Sequence, residues 1–310
     1  MKVWRRLLAA GALAAMLFTL PGCGSGDVPA SSSGSSGAAS SAAVPEPEPV
    51  VVEPAYYHPL TGVGMDEDLS RLRPVAVMIN DLKAAQPQLG VSQADIIYEM
   101  PAEGGITRMV ALFQSLDGVG NLGSIRSTRA YYLELALGHD ALLVHAGGSP
   151  EAYKDIPAWG VDNMDGVNGG SDAKIFWRDA ERRKTKGYEH SLLTSGEKIQ
   201  EYLDQGHFRT EHKDGYAESL RFRDDGTPQG GTAAGKVSLR FSPYKTAVFD
   251  YDAASGKYLV SQFGEAYIDG NTGEQVGVTN VLTLKTRIRV ISGDTAGRMT
   301  ADLTSGGEGM

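Results

Sequence analysis

Charged residues concentrate in the stretch 98–129, where glycines, one proline and small residues flank a short apolar run. Among its charged residues are Glu99, Glu103, Arg108, Arg126 and Arg129. Charged side chains this close to core segments usually have assigned partners, because an unpaired buried charge is costly. Two chemistries fit this pattern. One is an internal ion-pair network, and the other is a site in which arginines hold a carboxylate or a phosphate.

The segment after Ser127 predicts a helix over residues 128–137, which places Arg126 and Arg129 at its N-terminus. The helix dipole disfavours cations at that end. The free N–H groups of a helix start also favour anions. Either Glu99 or Glu103, or an external anion, would compensate the two arginines, and the sequence leaves these alternatives open.

Two further residues fit the same cleft. His145 ends an apolar run and precedes Gly147-Gly148 and a helix start with Ser149 as N-cap. Ligands often bind at such a strand–turn–helix junction, although a structural histidine fits equally well. Arg178 follows two aromatic residues in FWRD, a combination found in sugar-binding surfaces and in cores. We therefore predict one ligand-binding cleft with seven residues: Glu99, Glu103, Arg108, Arg126, Arg129, His145 and Arg178.

Catalysis is the rival interpretation, with Glu99, Glu103 and His145 as acid–base groups acting on peptidoglycan. Pro101 favours an extended chain, and residues four apart in a strand lie about 13 Å from each other. Glycosidase carboxylates lie about 5 to 9.5 Å apart. The sequence also lacks the H-E-x-x-H, C-x-x-C and P-loop motifs. The pattern thus favours a non-enzymatic module, with no metal and no cofactor predicted.

The N-terminus has the form of a lipoprotein signal. Three cations, Lys2, Arg5 and Arg6, precede an apolar run over residues 7–20 and then Pro21-Gly22-Cys23. The run is short for a membrane-spanning anchor helix. We predict a signal peptide over residues 1–22 and lipidation of Cys23, the only cysteine of the chain. The protein would then be held by its lipid at the extracytoplasmic face of the bacterial cell membrane.

Residues 23–56 are rich in Ser, Gly, Ala and Pro and predict a disordered tether. A flexible segment of this length spans on the order of 30 Å, which would hold the folded part clear of the membrane. Removing residues 1–22 takes away three cations and changes the formal net charge from −9 to −12. This charge opposes binding to nucleic acid.

The remaining chain predicts two regions. Residues 57–235 contain short apolar strands between helix signals and predict a mixed α/β (α+β) domain with a buried sheet, in which residues 80–93 cross the surface. Residues 236–310 follow period two and predict a small antiparallel β-rich module. The glycine-rich final residues contain no closing strand, so we expect this module to be incomplete.

Seven motifs in series resemble the YerB-like lipoproteins of Bacillus and its relatives: RPVAVMIN, SQADIIYE, EGGITR, GSIRSTR, HAGGSP, FWRD and FSPY. The resemblance covers residues 57–310 and implies two adjoining domains of unknown function. It also implies that the seven cleft residues belong to the family pattern. The chain departs from that pattern at Ser191 and Leu192, where members commonly have an Asn and an aromatic residue after the histidine.

These observations predict a binding or accessory module of the cell envelope. Its ligand would be cell-wall material such as peptidoglycan, or its partner another envelope protein. The alternatives are the peptidoglycan-modifying enzyme and a protein-interaction scaffold in which the charges form a structural network.

Overall fold

A computed structural model describes residues 53–217, 219–223, 230–303 and 308–309. The predicted signal peptide, the lipidation site Cys23 and nearly all of the predicted tether lie outside the described residues. Among the helices that are described, none is long and apolar enough to cross a membrane.

The described residues of the N-terminal region form ten strands and four α-helices. The strands are β1 (Tyr56–Tyr57), β2 (Gly64–Met65), β3 (Val75–Asn80), β4 (Ile96–Pro101), β5 (Thr107–Phe113), β6 (Asn121–Gly123), β7 (Leu142–His145), β8 (Asn163–Asp165), β9 (Trp177–Arg178) and β10 (Leu192–Ser195). The helices are α1 (Ala130–Gly138), α2 (Pro150–Trp159), α3 (Ala180–Thr185) and α4 (Gly196–Asp204). Ser149 caps α2 by accepting a hydrogen bond from the Ala152 N–H, as the sequence predicts.

Five of these strands form a mixed sheet in the order β4-β5-β3-β7-β8. Strands β3, β7 and β8 run parallel, whereas β5 pairs antiparallel with both β3 and β4. The carboxyl ends of β3 and β7 therefore meet at one edge, next to the start of β5, where Asn80 lies opposite Arg108. Three shorter strands form a second, antiparallel sheet in the order β6-β10-β9.

Both faces of the five-stranded sheet are covered. Val75, Val77 and Ile79 of β3 pack into one hydrophobic cluster, and Ala76 and Met78 pack into another. The first cluster also takes residues from β10 and the C-terminal region, and the second takes residues from α1 and α2. Because successive strand residues point to opposite faces, the apolar run VAVMI supplies both clusters at once.

The C-terminal region consists of short antiparallel strands. They are β11 (Lys236–Arg240), β12 (Thr246–Asp252), β13 (Lys257–Gln262), β14 (Glu265–Ala266), β15 (Gly277–Val278), β16 (Leu284–Lys285), β17 (Arg287–Val290), β18 (Met299–Asp302) and β19 (Glu308–Gly309). The first four form a sheet in chain order, and β15 also pairs with β13. The predicted fold class, a mixed α/β region followed by an antiparallel β-rich region, is confirmed.

The two regions share buried surface. Val260, Tyr267 and Val276 of the C-terminal region join the first cluster. The buried Asp269 carboxylate accepts hydrogen bonds from the Gly90 and Ser92 N–H groups and from the Ser92 hydroxyl. These contacts bind the β-rich region to the segment that leads into β4.

Two details of the sequence interpretation are wrong. The segment 80–93 does not simply cross the surface, because Asn80, Asp81 and Gln88 are each at most 2% exposed. The hydrophobic pattern of the sequence did not indicate their burial, because polar residues that are buried with polar partners have no hydrophobic period. Strand β4 is half-buried rather than buried, because it forms an edge of the sheet.

Because β5 is buried on both faces, a cavity within it should greatly lower the free energy of unfolding. Leu112 is 1% exposed, and Leu112→Ala should lower the free energy of unfolding by about 2–5 kcal/mol. The matched control is Leu282→Ala, at a residue that is 74% exposed, which should change it by less than about 0.5 kcal/mol. Urea unfolding of the purified proteins measures both. Equal effects would contradict the assignment of β5 to the core.

Candidate functional site

The first two residues of strand β5 point to opposite faces of the sheet, and each belongs to a different group of charged residues. Thr107 shares the face of Met109 and the first hydrophobic cluster, whereas Arg108 shares the face of Val110 and the second. The same alternation in β4 turns Glu99 toward the face of Ile97. The two faces therefore hold different sites.

The face of helix α1 holds what we call the arginine cluster: Glu103, Arg108, Arg126, Arg129 and His190. Glu103 begins a tight turn in which Gly104 and Gly105 adopt φ angles of 71° and 75°, a region that favours glycine. This turn returns the Glu103 carboxylate toward β5. Helix α1 begins directly after Arg129, its N-cap residue.

One carboxylate serves two guanidinium groups in this cluster. Arg108 Nη2 donates to Glu103 Oε1 at 2.8 Å. Arg129 Nε donates to Glu103 Oε2 at 3.1 Å, and its Nη2 donates to Oε1. Burial raises the pKa of the Glu103 carboxyl, but the charges of Arg108 and Arg129 outweigh this and lower the pKa to about 2. Glu103 is therefore ionised at neutral pH and poorly suited to donate a proton.

Arg126 lies beside this pair with a weaker partner of its own. Its Nη1 lies 3.6 Å from Glu189 Oε2 and donates to the Glu189 carbonyl at 3.3 Å. The Glu189 side chain is 72% exposed, which weakens the ion pair. Burial lowers the pKa of the Arg126 guanidinium, and the charge of Arg108 lowers it further. The lowered pKa thus reflects mainly the burial of the guanidinium, to which the neighbouring positive charges add.

Arg108 keeps unused donors inside the protein. Its side chain is 4% exposed. Its Nε and Nη1 atoms are buried, and no described residue accepts a hydrogen bond from either. A guanidinium cannot lose its proton in a protein, so these donors call for an acceptor.

Asn80 and His190, which were not in the predicted site, complete the edge. Asn80 Oδ1 accepts from the Leu82 N–H at 3.0 Å, so the Asn80 amide nitrogen faces His190 Nδ1, also at 3.0 Å. Nδ1 is thus the acceptor, and the His190 proton lies on Nε2. Burial lowers the pKa of His190, and the neighbouring Arg126 lowers it further. His190 is a neutral donor at this edge.

Arg178 does not reach the cluster directly. Its Nη1 donates to the Tyr188 carbonyl at 2.6 Å, and its guanidinium lies 3.6 Å from the centre of the Tyr188 ring. Arg182 Nε donates to the His190 carbonyl at 3.0 Å. Both arginines hold the segment 188–190, which carries Glu189 and His190, so Arg178 positions the edge of the cluster.

His145 lies in a separate, closed network. Its side chain is fully buried. Nδ1 lies 2.8 Å from the Gly147 carbonyl, and Nε2 lies 3.0 Å from Asn163 Oδ1. The Asp165 carboxylate accepts from the Gly147 N–H and the Tyr153 hydroxyl in the same turn. With both ring nitrogens engaged, His145 stabilises the turn between β7 and α2.

The opposite face of the sheet holds a buried lysine site. Lys245, from the turn between β11 and β12, is 1% exposed. Its Nζ lies 2.6 Å from Asp81 Oδ2 and 3.1 Å from Glu99 Oε1. The Thr107 hydroxyl also donates to Asp81 Oδ2 at 2.6 Å. Glu99 thus lies against a residue of the C-terminal region, and none of the arginines of the cluster forms a described contact with it.

The lysine site contains more carboxylates than cations. Burial raises the pKa of the Glu99 carboxyl, and the charge of Asp81 adds to this, so that the pKa reaches about 8 despite the opposing effect of Lys245. Glu99 therefore keeps its proton at neutral pH. A cavity of about 320 Å³ adjoins the site and is lined by residues of both regions, among them Leu82, Thr107, Tyr244 and Phe263.

The structure thus divides the seven predicted residues. It brings together Glu103, Arg108, Arg126 and Arg129, and it places Glu99, His145 and Arg178 in three other settings. Sequence reasoning missed Asn80, Asp81, His190 and Lys245. The position of Asn80 and Asp81 directly after the apolar run VAVMI was the available signal, because polar residues at the carboxyl end of a parallel strand often line sites. Within the described part of the chain, no three His, Cys, Asp or Glu residues are arranged to hold a metal ion.

Comparison with known proteins covers both regions. Residues 60–209 match the "Protein of unknown function (DUF3048) N-terminal domain", and residues 237–310 match the corresponding C-terminal domain. The chain is 33% identical over 254 residues to "Putative lipoprotein YerB" of Bacillus subtilis (strain 168), covering 81% of this chain and 73% of that protein. The crystal structure of YerB protein from Bacillus subtilis is similar, with a TM-score of 0.70, 30% identity and 82% of each chain covered. The resemblance drawn from the seven motifs is confirmed.

The proton held by Glu99 predicts a pH-dependent stability. Its pKa is about 8 in the folded protein against an ordinary value of 4.5, so the folded state binds more protons between these values. The free energy of unfolding should therefore be highest below pH 4.5, as far as this group is concerned, and fall as the pH rises to 8. Each unit of pKa difference corresponds to about 1.4 kcal/mol, so the fall should amount to a few kcal/mol.

Glu99→Gln should flatten this part of the profile, because the amide cannot ionise. The control Glu265→Gln removes a carboxylate that is 67% exposed and should follow the wild-type profile. Urea unfolding at several pH values between 4.5 and 8.5 measures all three proteins. A Glu99→Gln profile as steep as that of the wild type would contradict the assigned proton.

Proposed function

Because the chain belongs to the DUF3048 family of YerB-like proteins, we propose that it is a lipid-anchored lipoprotein of the bacterial cell envelope that binds an anionic ligand at its arginine cluster. The single observation that carries the binding role is the charge of this cluster. Two of its three largely buried guanidinium groups, those of Arg108 and Arg129, share the partly buried carboxylate of Glu103, and the third, that of Arg126, has only the exposed Glu189 as its partner. Buried charges need counterions, and an anionic ligand would supply the one that the described residues lack.

The position of the cluster supports this role. Arg126 and Arg129 flank the start of helix α1, and Asn80 ends strand β3. The edge formed by the carboxyl ends of parallel strands, together with a helix N-terminus, is a common place for anionic ligands. The cluster therefore joins three features that favour an anion at one place.

The anchor rests on the N-terminal sequence and on the relative's description as a lipoprotein. A signal of residues 1–22 and lipidation at Cys23 would place the folded part on the extracytoplasmic side. The tether of residues 23–56 would let it reach material beyond the membrane surface. Cell-wall polymers carry carboxylates and phosphates, so they are the ligands that we propose first, and an acidic surface of another envelope protein is the alternative.

The enzymatic alternative has less support from the geometry. Glu103 is held ionised by two arginines, and both ring nitrogens of His145 are engaged in hydrogen bonds. Glu99 keeps a proton but lies against Lys245 on the other face of the sheet. These three groups do not meet around a common space, as an acid–base pair acting on one bond must.

The binding role predicts a specific effect of Arg126→Ala. The variant should lose about tenfold or more in affinity for purified cell walls, because a hydrogen bond to a charged group contributes about 1.5–3 kcal/mol. Its melting temperature should change little, because the partner of Arg126 is the exposed Glu189. Co-sedimentation with cell walls and thermal unfolding measure the two effects. The control Arg289→Ala removes an exposed arginine of β17.

Other outcomes separate the alternatives. A large fall in melting temperature together with unchanged wall binding would favour the structural network. Wall binding that is the same in Arg126→Ala and in the wild type would contradict the proposed site.

The anchor predicts a redistribution of the protein in cells. Cys23→Ser removes the thiol that would carry the lipid, so the variant should move from the membrane fraction to the soluble or secreted fraction. Metabolic labelling with a fatty acid should mark the wild type and not the variant. Labelling of the variant, or its unchanged retention in membranes, would contradict lipidation at this residue.

A further inference from the structure

We infer that the anion taken by the arginine cluster is a phosphate group, in a monoester or diester, and not a carboxylate. This inference rests on the proposed binding role and narrows its ligand. It comes from the charge of the cluster, from the number of its free donors and from the hydrogen bonds of His190.

The first argument is charge. Arg108, Arg126 and Arg129 carry three positive charges, and Glu103 neutralises one of them. The only other carboxylate in a described contact with the three arginines is Glu189, whose side chain is 72% exposed. Two charges in a largely buried place match a phosphate monoester, which carries about −1.5 to −2 at neutral pH. A carboxylate or a phosphate diester, each with one charge, would leave one of them without a counterion, so the charge favours the monoester.

The second argument is the spread of the free donors. Arg108 offers Nε and Nη1, two buried nitrogen atoms without a described acceptor, from the start of β5. Arg126 approaches from the segment that precedes α1. No side chain of the described residues caps the N-terminus of α1, which leaves the N–H groups of its first two residues without that partner. A phosphate presents its oxygen atoms in a tetrahedral arrangement and accepts from several sides, whereas the two oxygen atoms of a carboxylate accept mainly in one plane.

The third argument is His190. Its Nδ1 accepts from the Asn80 amide, so Nε2 carries the proton and donates. Its partners and neighbours are Asn80, Arg126, Glu189, Arg182 and Lys186. Burial lowers the pKa of the imidazole, and the three cations lower it further, so the imidazole is neutral. It adds a donor to the edge without adding a charge to an already positive site.

The experiment measures binding of small probes to the full-length protein in detergent by isothermal titration calorimetry. The probes are inorganic phosphate, glycerol 3-phosphate, dimethyl phosphate and acetate. We expect glycerol 3-phosphate to bind at least about tenfold more tightly than acetate. Arg108→Met should weaken the binding of glycerol 3-phosphate by about tenfold, and His190→Gln should weaken it by a smaller factor. The control Arg289→Met should bind as the wild type does.

Arg108→Met removes one partner of Glu103 and needs a check on folding. His190→Gln and Arg126→Met touch no buried carboxylate and keep the inference testable if Arg108→Met is unstable. Retained glycerol 3-phosphate binding in both of these variants would overturn the assignment of the phosphate to this cluster.

The remaining outcomes distinguish this inference from the proposed function. Acetate binding as tight as that of glycerol 3-phosphate would overturn the phosphate assignment and leave an anion site. Wall binding that depends on Arg126, together with no binding of any phosphate probe, would do the same. Failure of both wall binding and probe binding would remove the proposed function as well.

A positive result leaves two sources of phosphate, which further arms separate. Vesicles of phosphatidylglycerol, with phosphatidylcholine as the control, test a lipid headgroup. Cell walls stripped of phosphate polymers by hydrofluoric acid, compared with untreated walls, test a wall polymer. Binding that follows one of these materials identifies the source.

Discussion

The covering of the central sheet on both faces is the constraint on which the rest of the structure depends. Once β3 and β5 are buried on both sides, polar side chains at their ends cannot rely on water and must find partners within the protein. Thr107 and Arg108, adjacent in sequence, are turned to opposite faces and find different partners. Thr107 donates to Asp81, which Lys245 of the C-terminal region meets on one face. Arg108 pairs with Glu103, which Arg129 at the start of helix α1 meets on the other. Two charged sites therefore follow from a single strand.

The sequence predicts the elements of this fold better than the meeting of its charges. Short continuous apolar runs identify β3, β5 and β7, and the Ser149-Pro150 pair marks the start of α2, because these signals are local. The contact of Glu103 with Arg129 spans 26 residues and was foreseen among the open alternatives. The contact of Lys245 with Asp81 spans 164 residues, and no local pattern announces it. Sequence reasoning also grouped Glu99 with Glu103, since it treated the strand and the turn after it as one surface.

A structural brace and a ligand site need not exclude each other in this protein. Glu103 fixes the guanidinium groups of Arg108 and Arg129 in place, so it orders the donors that remain. Arg178 and Arg182 fix the segment that carries His190, and His145 fixes the turn between β7 and α2. Most of the predicted residues thus form a rigid frame, which holds a smaller number of hydrogen-bond donors that are free to bind a ligand. Such a frame reduces the entropy that binding would otherwise cost.

The hydroxyl of Ser242 donates to the Gly105 carbonyl at 2.6 Å and accepts from the N–H groups of Tyr244 and Lys245. One side chain of the β-rich region thereby holds both the turn that begins with Glu103 and the backbone of the lysine that meets Asp81. The two family domains consequently form one folded unit that is built from two sequence segments. A fragment that ends before the β-rich region would keep Asp81 and Glu99 without their cation and would release the turn of Glu103. Work on either domain alone would therefore describe a different molecule.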